Sequence, residues 1–394
     1  MKKIFLKQKK EAAVRRFHPW VFSGAVHLME AIPEDGEIVE VHSQKGEYLA
    51  TGHYQDGSIC TRIFTFQQQE INQIFWDKKI QQAFNYRQLL GLTDSPVTNC
   101  YRLVHAEGDG LPGLIIDIYS QTAVVQCHSI GMHLNVEQIA KALQSCFGNR
   151  LTAIYTKSKS SLPPNYASSV SDGYLLGESS EGLVKENGLS FAIDWEAGQK
   201  TGFFLDQREN RQLLRKYASG KKILNTFAYS GGFSMYALAA EAEEVDSIDI
   251  SQTAVDLIEK NIVLNAYQEK KHQSQKADVL PFLRETSADK YDLIILDPPA
   301  YAKSIKKRHN AVQGYKRLNK EAMEKVKSGG ILMTFSCSQV VDKKLFYNTV
   351  VAAAHEAGRR VKLMHQLTQP ADHPVSLFHP EGEYLKGLVL YVEE

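Results

Sequence analysis

Cysteine is scarce in this sequence, and it has neither a long apolar run nor an excess of one charge. The 394-residue chain has five cysteines, all far apart, with no CxxC pair and no spacing typical of a metal site. This argues against a disulfide framework or a structural zinc. No run approaches the roughly 18 apolar residues of a membrane-spanning helix, and none near the N-terminus is long enough for a signal peptide. The sequence therefore predicts a cytoplasmic protein without a metal or membrane partner.

The net charge is only +1, so the chain as a whole has no electrostatic signature of a nucleic-acid binder. The charges are nevertheless unevenly distributed. Residues 1–16 carry seven Lys and Arg against one acid, and residues 303–320 carry seven with no acid. One such run is more often a solvated face than a binding site, but two in a neutral protein favour a polyanionic partner. The candidate phosphate contacts, in a predicted loop, are Lys303, Lys306, Lys307 and Arg308.

The length predicts two or three domains, at roughly 100–200 residues per domain. Short alternating strands broken by turns extend to about residue 72 and are typical of a small β-barrel. From 73 to 188, helical periodicity at 74–91 and 133–146 accompanies strand-like runs, which predicts an α+β domain. From 189 to the end, strands and helices alternate. That pattern predicts a parallel, doubly wound sheet with ligands at the carboxyl ends of its strands.

Two features of the alternating part are suited to binding a nucleoside. The strand predicted at 222–227 ends in FAYSGGFS at 227–234, where glycines let a ligand approach the backbone and a helix N-terminus offers N–H groups. A GxGxxG fingerprint is absent, which counts against NAD. Asp249 ends the next strand and is placed to bind two ribose hydroxyls, although an Asp there is about as often a helix cap.

The most specific local motif is DPPAY at 297–301, directly after the apolar strand 291–296. Its two prolines end the strand and make a rigid loop on the ligand side of the sheet. Ahead of the sheet, GQKTGFFLDQRENR at 198–211 enters a helix at Asp206. Together these motifs resemble class I S-adenosylmethionine-dependent methyltransferases, whose Rossmann-like sheet is seven-stranded and mostly parallel. A Rossmann-like fold that binds another nucleoside ligand is the alternative.

The resemblance extends along essentially the whole chain, because six motifs occur in the same order. The sequence is similar to bacterial 23S rRNA cytosine-5 methyltransferases with an N-terminal PUA domain. This resemblance implies a PUA-like RNA-binding β-barrel at 1–72, a central α+β domain at 73–188 and a methyltransferase domain at 189–394. It also implies S-adenosylmethionine as cofactor and RNA, specifically 23S rRNA, as partner. The motifs are RFHPWVFSG at 16–24, HAEGDGLPGL at 105–114, residues 200–211, residues 297–301, FSCS at 335–338 and HPEGEYLKG at 379–387.

The same resemblance implies the binding residues. Asp278 would lie near the adenine, and Asp297 and Pro298 near the point of methyl transfer. Arg16, His18 and Trp20 are candidate RNA contacts, although a Trp after Pro in a small barrel is about as often a core residue. The implied cofactor-binding residues are Thr201, Phe204, Asp206, Phe227, Tyr229, Gly231, Asp249, Asp278, Asp297 and Pro298.

Cys337 is the predicted catalytic nucleophile, with Asp297 as the second catalytic residue. Cys337 lies two residues beyond the predicted strand 330–335, at the carboxyl edge of the sheet. A thiolate that adds to C6 of cytosine makes C5 nucleophilic, and Asp297 could hold N3 or the exocyclic amine. By itself, a lone Cys near an apolar strand is more often a buried structural thiol. Two-cysteine RNA methyltransferases have a second Cys in the fourth motif. This chain has none there, so the base that removes the C5 proton stays unassigned.

Two other functions remain open. The DPP loop resembles the motif of amino-group methyltransferases, in which an aromatic residue follows the second proline directly. Here Ala300 intervenes before Tyr301. A non-catalytic RNA-binding protein with a relic cofactor pocket would be expected to lack Asp249, Asp297 or Cys337, and all three are present. The sequence also leaves open which nucleotide is methylated and whether the chain forms a homodimer.

Overall fold

The computed structural model describes residues 1–178, 182–302 and 304–394, and the chain divides into two compact units. Both units are discontinuous in sequence. The first consists of Met1–Val184, Ile193–Leu205 and Ala371–Gly382, and the second of Lys185–Ala192, Asp206–Pro370 and Glu383–Glu394. The finer division into three domains at residues 72 and 188 stays a prediction.

The N-terminal part of the first unit is a six-stranded sheet. Its strands are β1 (Lys2–Leu6), β2 (Trp20–Phe22), β3 (Val26–Met29), β4 (Ile38–His42), β5 (Tyr48–Tyr54) and β6 (Ile59–Thr65), with a one-turn helix α1 (Ala12–Arg15). The strand order is β2-β6-β5-β4-β1-β3. Alternate apolar side chains of neighbouring strands, among them Ile4, Val39 and Ile63, form its core, as the period-2 pattern predicts.

A five-stranded sheet packed with helices follows. Its elements are α2 (Gln73–Leu89), β7 (Cys100–His105), β8 (Leu114–Tyr119), β9 (Thr122–Cys127), α3 (Ile130–Leu134), α4 (Val136–Phe147), β10 (Ala153–Thr156), α5 (Pro164–Ala167) and β11 (Gly173–Leu176). The strand order is β11-β10-β9-β8-β7. The helix predicted at 133–146 is confirmed as α4, although its first two residues belong to the separate short helix α3. The chain forms two helices that meet at Asn135, whose side-chain amide donates to the carbonyl of Gly131 at 2.7 Å.

The second unit is built on a seven-stranded sheet. A hairpin of β12 (Leu183–Glu186) and β13 (Leu189–Ala192) precedes α6 (Arg208–Ala218), β14 (Lys222–Thr226), α7 (Gly232–Ala239), β15 (Glu244–Asp249), α8 (Gln252–Leu264), β16 (His272–Lys276), α9 (Val279–Glu285), β17 (Tyr291–Leu296), α10 (Arg308–Lys325), β18 (Val326–Ser336), α11 (Lys343–Glu356), β19 (Val361–Leu367) and β20 (Lys386–Val392). The order in the large sheet is β16-β15-β14-β17-β18-β20-β19, and only β20 runs antiparallel to its neighbours. The predicted doubly wound sheet is confirmed.

The strand order reverses between β14 and β17, because the chain first builds outward through β15 and β16 and then returns to the other side of β14. Such a switch point leaves a crevice beyond the carboxyl ends of the two strands, where ligands of open α/β sheets bind. The sequence YDLIIL of β17 is apolar on both faces and almost wholly buried, as expected for a central parallel strand. The crevice therefore opens at residues 227–231 and at Asp297.

The loop predicted at 303–320 is wrong beyond residue 307. A single 3-10 turn at Ile305–Lys307 leads directly into the 18-residue helix α10. The reason is a helical apolar stripe within the basic run, since Ala311, Tyr315, Leu318 and Ala322 are all buried and recur at the spacing of one helix face. Within the residues described, no helix is long and apolar enough to cross a membrane.

Candidate cofactor and catalytic site

The loop between β14 and α7 has an unusual backbone. Phe227, Tyr229 and Gly231 all have positive φ, at 54°, 47° and 71°. This region is costly for bulky residues and free for glycine, and such strain often marks functional sites. A Cβ at position 231 would also lie 3.1 Å from a methyl group of Ile258. The start of α7 thus requires Gly231 for both conformation and space.

Asp249 at the end of β15 holds this loop in place. One carboxylate oxygen accepts from the backbone N–H of Tyr229 and the other from that of Ser251, each at 2.9 Å. The carboxylate is only partly buried. Because each ionised oxygen can accept more than one hydrogen bond, acceptor sites remain for ribose hydroxyls. The cap of α8 is Ser251, not Asp249.

Asp297 follows β17 directly and is held from one side by α6 and the turn before it. The side-chain amide of Gln207 donates to Oδ1 of Asp297 at 3.0 Å, and Asn210 donates to Gln207 Oε1 at 2.6 Å. Burial and the neighbouring Asp206 carboxylate raise the pKa of Asp297 to about 7, against the effect of the Gln207 hydrogen bond. Near neutral pH the protonated and the ionised forms of this carboxyl group are therefore both present, so it can donate or accept a proton.

The two carboxylate oxygens of Asp206 have different surroundings. Its Oδ2 accepts from the hydroxyl of Tyr384 at 2.8 Å, while its Oδ1 is buried and has no hydrogen-bond partner among the residues that the structure describes. A buried carboxylate oxygen without a donor costs free energy. This atom therefore marks a place where a ligand donor would be favourable.

Cys337 immediately follows β18, one residue closer to the strand than predicted, because β18 extends to Ser336. Since β17 and β18 are parallel neighbours with Leu296 opposite Thr334, Asp297 and Cys337 leave adjacent strands at the same edge of the sheet. The hydroxyl of Ser338 donates to the carbonyl of Ala302 at 2.7 Å. The turn that carries Cys337 is thereby fastened to the loop that begins with Asp297.

Two other predicted cofactor residues of this unit, Pro298 and Asp278, come shortly after the strands β17 and β16. Pro298 is buried within the loop after β17. Asp278 follows β16 and is exposed, and its Oδ1 accepts from the N–H of Leu280 at 3.1 Å, so it caps α9. A contact between Asp278 and an adenine stays a prediction.

Thr201 and Phe204 belong to the other compact unit. Thr201 is buried, and its hydroxyl donates to the carboxylate of Asp117 at 2.6 Å and hydrogen-bonds to the hydroxyl of Tyr119 at 3.0 Å. Phe204 is partly buried. The hydroxyl of Thr201 is thus committed to its own unit, and the cofactor role of both residues stays a prediction.

The candidate RNA contacts of the first motif have different environments. Arg16 is exposed. The indole N–H of Trp20 donates to Glu107 at 2.9 Å, and its ring packs against that of His379 with centroids 4.3 Å apart. The ring of His18 also packs against that of His379, with centroids 5.6 Å apart. Trp20 is thus partly a packing residue, and RNA binding by these three residues stays a prediction.

The basic turn, residues 306–308, is exposed at the start of α10, and within the described chain its three cations form no ion pair. Lys303, the fourth predicted contact, lies outside the described residues. Further along α10, Lys316 pairs with Glu356 at 2.7 Å and Lys320 with Glu324 at 2.6 Å. Within the described chain, the basic turn therefore presents positive charge that no carboxylate compensates, whereas Lys316 and Lys320 are paired.

Three residues of this site were not predicted from sequence: Gln207, Tyr384 and Lys386. All three stand within the motifs at 198–211 and 379–387, yet nothing in the sequence pairs them with Asp297, Asp206 or the segment after β18. Lys386 is 4% exposed, which is unusual for a lysine.

Comparison with known proteins agrees with this geometry. A family model described as S-adenosylmethionine-dependent methyltransferase matches residues 124–379, and a PUA-like domain model matches residues 4–66. The ribosomal RNA large subunit methyltransferase I of Yersinia pestis (bv. Antiqua, strain Angola) is 37% identical over 396 residues, covering 99% of both chains. That of Yersinia pseudotuberculosis (serotype O:1b) is 38% identical over 391 residues, covering 98% of both.

Solved structures show the same fold over nearly the whole length. A putative S-adenosylmethionine-dependent methyltransferase from Streptococcus mutans superposes with a TM-score of 0.84 at 22% identity, covering 99% of this chain and 100% of its own. A putative methyltransferase complexed with SAH gives 0.85 at 21% identity, with the same coverage. The predicted fold class, enzyme class and cofactor are confirmed: this chain belongs to the ribosomal RNA large subunit methyltransferase I family of S-adenosylmethionine-dependent methyltransferases.

Proposed function

We propose that this enzyme methylates C5 of a cytosine in large-subunit ribosomal RNA, with Cys337 as nucleophile. The RNA follows from the name of the relatives, which align with this chain from end to end. The chemistry rests on one observation: Cys337 and Asp297 follow adjacent parallel strands, and the Ser338–Ala302 hydrogen bond joins the two loops.

The residues of the second unit fit S-adenosylmethionine. Asp249 keeps free acceptor positions beside the strained loop 227–231, and the unpartnered Oδ1 of Asp206 suits a donor such as the amino group of the methionine portion. When bound, S-adenosylmethionine supplies the methyl group that C5 receives. We assign Asp249 to the ribose hydroxyls and Asp206 to the amino group.

Cys337 makes the base reactive. Its thiolate adds to C6, forming an S–C6 bond, and the C5–C6 π electrons move towards C5, which becomes the nucleophile. After C5 is methylated, a base removes its remaining proton and those electrons re-form the C5–C6 double bond as the thiolate leaves. Covalent catalysis of this kind divides one difficult step into easier ones.

Asp297 assists the addition at the opposite side of the ring. Because burial and the Asp206 carboxylate raise the pKa of Asp297 to about 7, a substantial fraction carries a proton at neutral pH. The protonated form can donate to N3 of cytosine and stabilise the negative charge that develops during addition. Gln207 holds the carboxyl group in place.

Methylation of an exocyclic amino group is the second candidate, and the DPP sequence after β17 is the observation in its favour. In this chain the aromatic side chain of the loop, Tyr301, is partly buried and its ring packs against Tyr315 with centroids 4.7 Å apart. That packing supports a structural role for Tyr301 and argues against stacking of its ring on a target base.

The test is methyl transfer from labelled S-adenosylmethionine to total RNA from a strain that lacks this enzyme, followed by nucleoside analysis. Label in 5-methylcytidine is expected. Label in an N-methylated nucleoside would support the amino-group reaction instead, and no transfer with intact RNA binding would support a relic pocket.

A cysteine variant tests the mechanism. Cys337→Ser is expected to bind cofactor and RNA but to lose methyl transfer, whereas the wild-type enzyme forms a covalent adduct with RNA that contains 5-fluorocytosine. Cys146→Ser, at a partly buried cysteine of α4, is the control and should retain both reactions. Normal turnover by Cys337→Ser would exclude the nucleophile.

A further inference from the structure

Lys386 is a buried lysine beside the proposed nucleophile. It is the first residue of β20. In the antiparallel pairing with β18 it lies opposite Ser336, which is the residue before Cys337. Its side-chain amine donates to the carbonyl of Ser338 at 2.7 Å and to that of Tyr384 at 2.6 Å. These two hydrogen bonds fix the amine against the segment 336–338 and prevent it from extending to solvent.

Of the acidic groups near Lys386, the two carboxylates are engaged elsewhere, and Cys337 is the group whose negative charge the amine can stabilise. Burial and the neighbouring Lys343 lower the pKa of Lys386 to about 8, whereas Cys337, Glu383 and Asp342 act in the opposite direction. Both carboxylates have other partners: Glu383 pairs with Lys343, and Asp342 accepts from the N–H of Leu345 at 2.8 Å. Within the described residues, Lys386 forms no ion pair with a carboxylate, and both of its hydrogen-bond partners are neutral carbonyls.

We propose that Lys386 is a positioning residue that holds Cys337 as a thiolate, ready to add to C6 of the base. This inference rests on the proposed role of Cys337 and extends it, since no residue has so far been assigned to activate the thiol. The proton leaves Sγ for bulk water, the electron pair stays on sulfur, and at neutral pH, below its pKa of about 8, Lys386 keeps its positive charge. A fixed cation beside a thiol lowers its pKa and raises the thiolate fraction at neutral pH.

The experiment measures the rate at which iodoacetamide alkylates Cys337 in the full-length protein, from pH 5 to pH 10, with modification of the Cys337 peptide quantified by mass spectrometry. The wild-type thiol is expected to titrate with an apparent pKa at least one unit below the ordinary value of about 8.5. Lys386→Met should raise that apparent pKa by one unit or more. Lys386→Arg, which keeps the charge, should restore most of the reactivity at pH 7.

Lys344→Met is the matched control, because Lys344 is an exposed lysine in the first turn of α11. It should leave the titration of Cys337 unchanged. The acidic limb of the pH–rate profile for methyl transfer should move upward in Lys386→Met by the same amount as the thiol pKa. A residue that only braced the two carbonyls would change turnover without moving the titration.

The inference is overturned by a wild-type Cys337 thiol that titrates at or above about 8.5, a result that needs no variant to fold. An identical titration in folded Lys386→Met also overturns it. The proposed function fails separately, if Cys337→Ser still methylates RNA. A lowered thiol pKa in the wild type would then stand on its own as a property of the Lys386 site.

Discussion

Asp249 combines two tasks in one side chain. Its carboxylate holds the backbone at Tyr229 and Ser251, and we assign its remaining acceptor positions to the ribose of the cofactor. Asp249→Ala is expected to weaken S-adenosylmethionine binding at least about tenfold, since a lost hydrogen bond to a charged group costs about 1.5–3 kcal/mol. Isothermal titration calorimetry measures this loss directly.

The control for this prediction is Asp256→Ala, at an exposed position of α8, which should keep the wild-type affinity. Unchanged affinity in a folded Asp249→Ala variant would contradict the ribose assignment.

Asp297 should make stability depend on pH in an unusual direction. Its pKa is raised from 3.8 to about 7, so the folded chain binds this proton more tightly than the unfolded chain does. The contribution is therefore favourable at low pH and is lost as the pH rises from about 4 to above 7. Asp297→Asn removes the free-energy penalty of ionising this carboxyl group. At pH 8 we therefore expect a higher Tm than that of the wild type, corresponding to a gain of about 1–3 kcal/mol in the free energy of unfolding. At pH 4 we expect no such gain.

Asp292 at the other end of β17 provides a control of opposite sign. Burial opposes its ionisation, but the backbone N–H of Lys222 and the amine of Lys327 lower its pKa below 3.8. Asp292→Asn should therefore be less stable than wild type at pH 7, and the difference should shrink as the pH falls below the ordinary value of 3.8. If the Tm differences between each variant and the wild type depended on pH in the same way, the pKa of the Asp297 carboxyl group would not be raised.

At the scale of elements, the basic turn 306–308 is the expected phosphate contact. Its three cations are exposed and unpaired within the described chain, and each phosphate contact contributes somewhat less than one unit to the salt dependence of binding. Replacing Lys306, Lys307 and Arg308 by Gln should therefore flatten the plot of log affinity for RNA against log salt by about two units. Fluorescence anisotropy at several salt concentrations measures this slope.

Lys316→Gln/Lys320→Gln is the matched control on the same helix, because both lysines already pair with carboxylates. It should change the slope much less. If the triple variant keeps the wild-type slope, the run is a solvated face and not an RNA contact.

At the scale of the whole molecule, a buried ion pair ties distant segments of the second unit together. Arg211 on α6 forms two hydrogen bonds with Glu186 on β12, at 2.8 and 2.7 Å, and Tyr236 on α7 donates to the same carboxylate at 2.9 Å. Removing one partner leaves an uncompensated buried charge, so Glu186→Gln should lower the free energy of unfolding by about 3–5 kcal/mol.

Urea denaturation measures this loss, and Glu209→Gln is its control, because Glu209 is the exposed partner of Arg208. That variant should stay within about 0.5 kcal/mol of wild type. A similar small effect for Glu186→Gln would show that this buried pair does not support the unit.

The sequence alone determined the features that depend on neighbouring residues. Alternation in β4, the apolar run of β17 and the strand–glycine–helix junction at 227–234 are local patterns, and each one predicts its element because burial imposes a fixed period on the chain. The order of strands and helices then implied the doubly wound sheet and placed Asp249, Asp297 and Cys337 at the carboxyl ends of its strands.

Tertiary structure decided what joins residues that are distant in sequence. The hydrogen bond from Tyr384 to Asp206 spans 178 positions, and Lys386 reaches the Cys337 segment only because β20 inserts antiparallel between β18 and β19. The helix α10 formed where charge predicted a loop, because one buried face outweighs a polar composition. The pKa of Asp297 likewise depends on burial and on the Asp206 carboxylate. Proximity of this kind is a property of the packed chain, and no local pattern in the sequence records it.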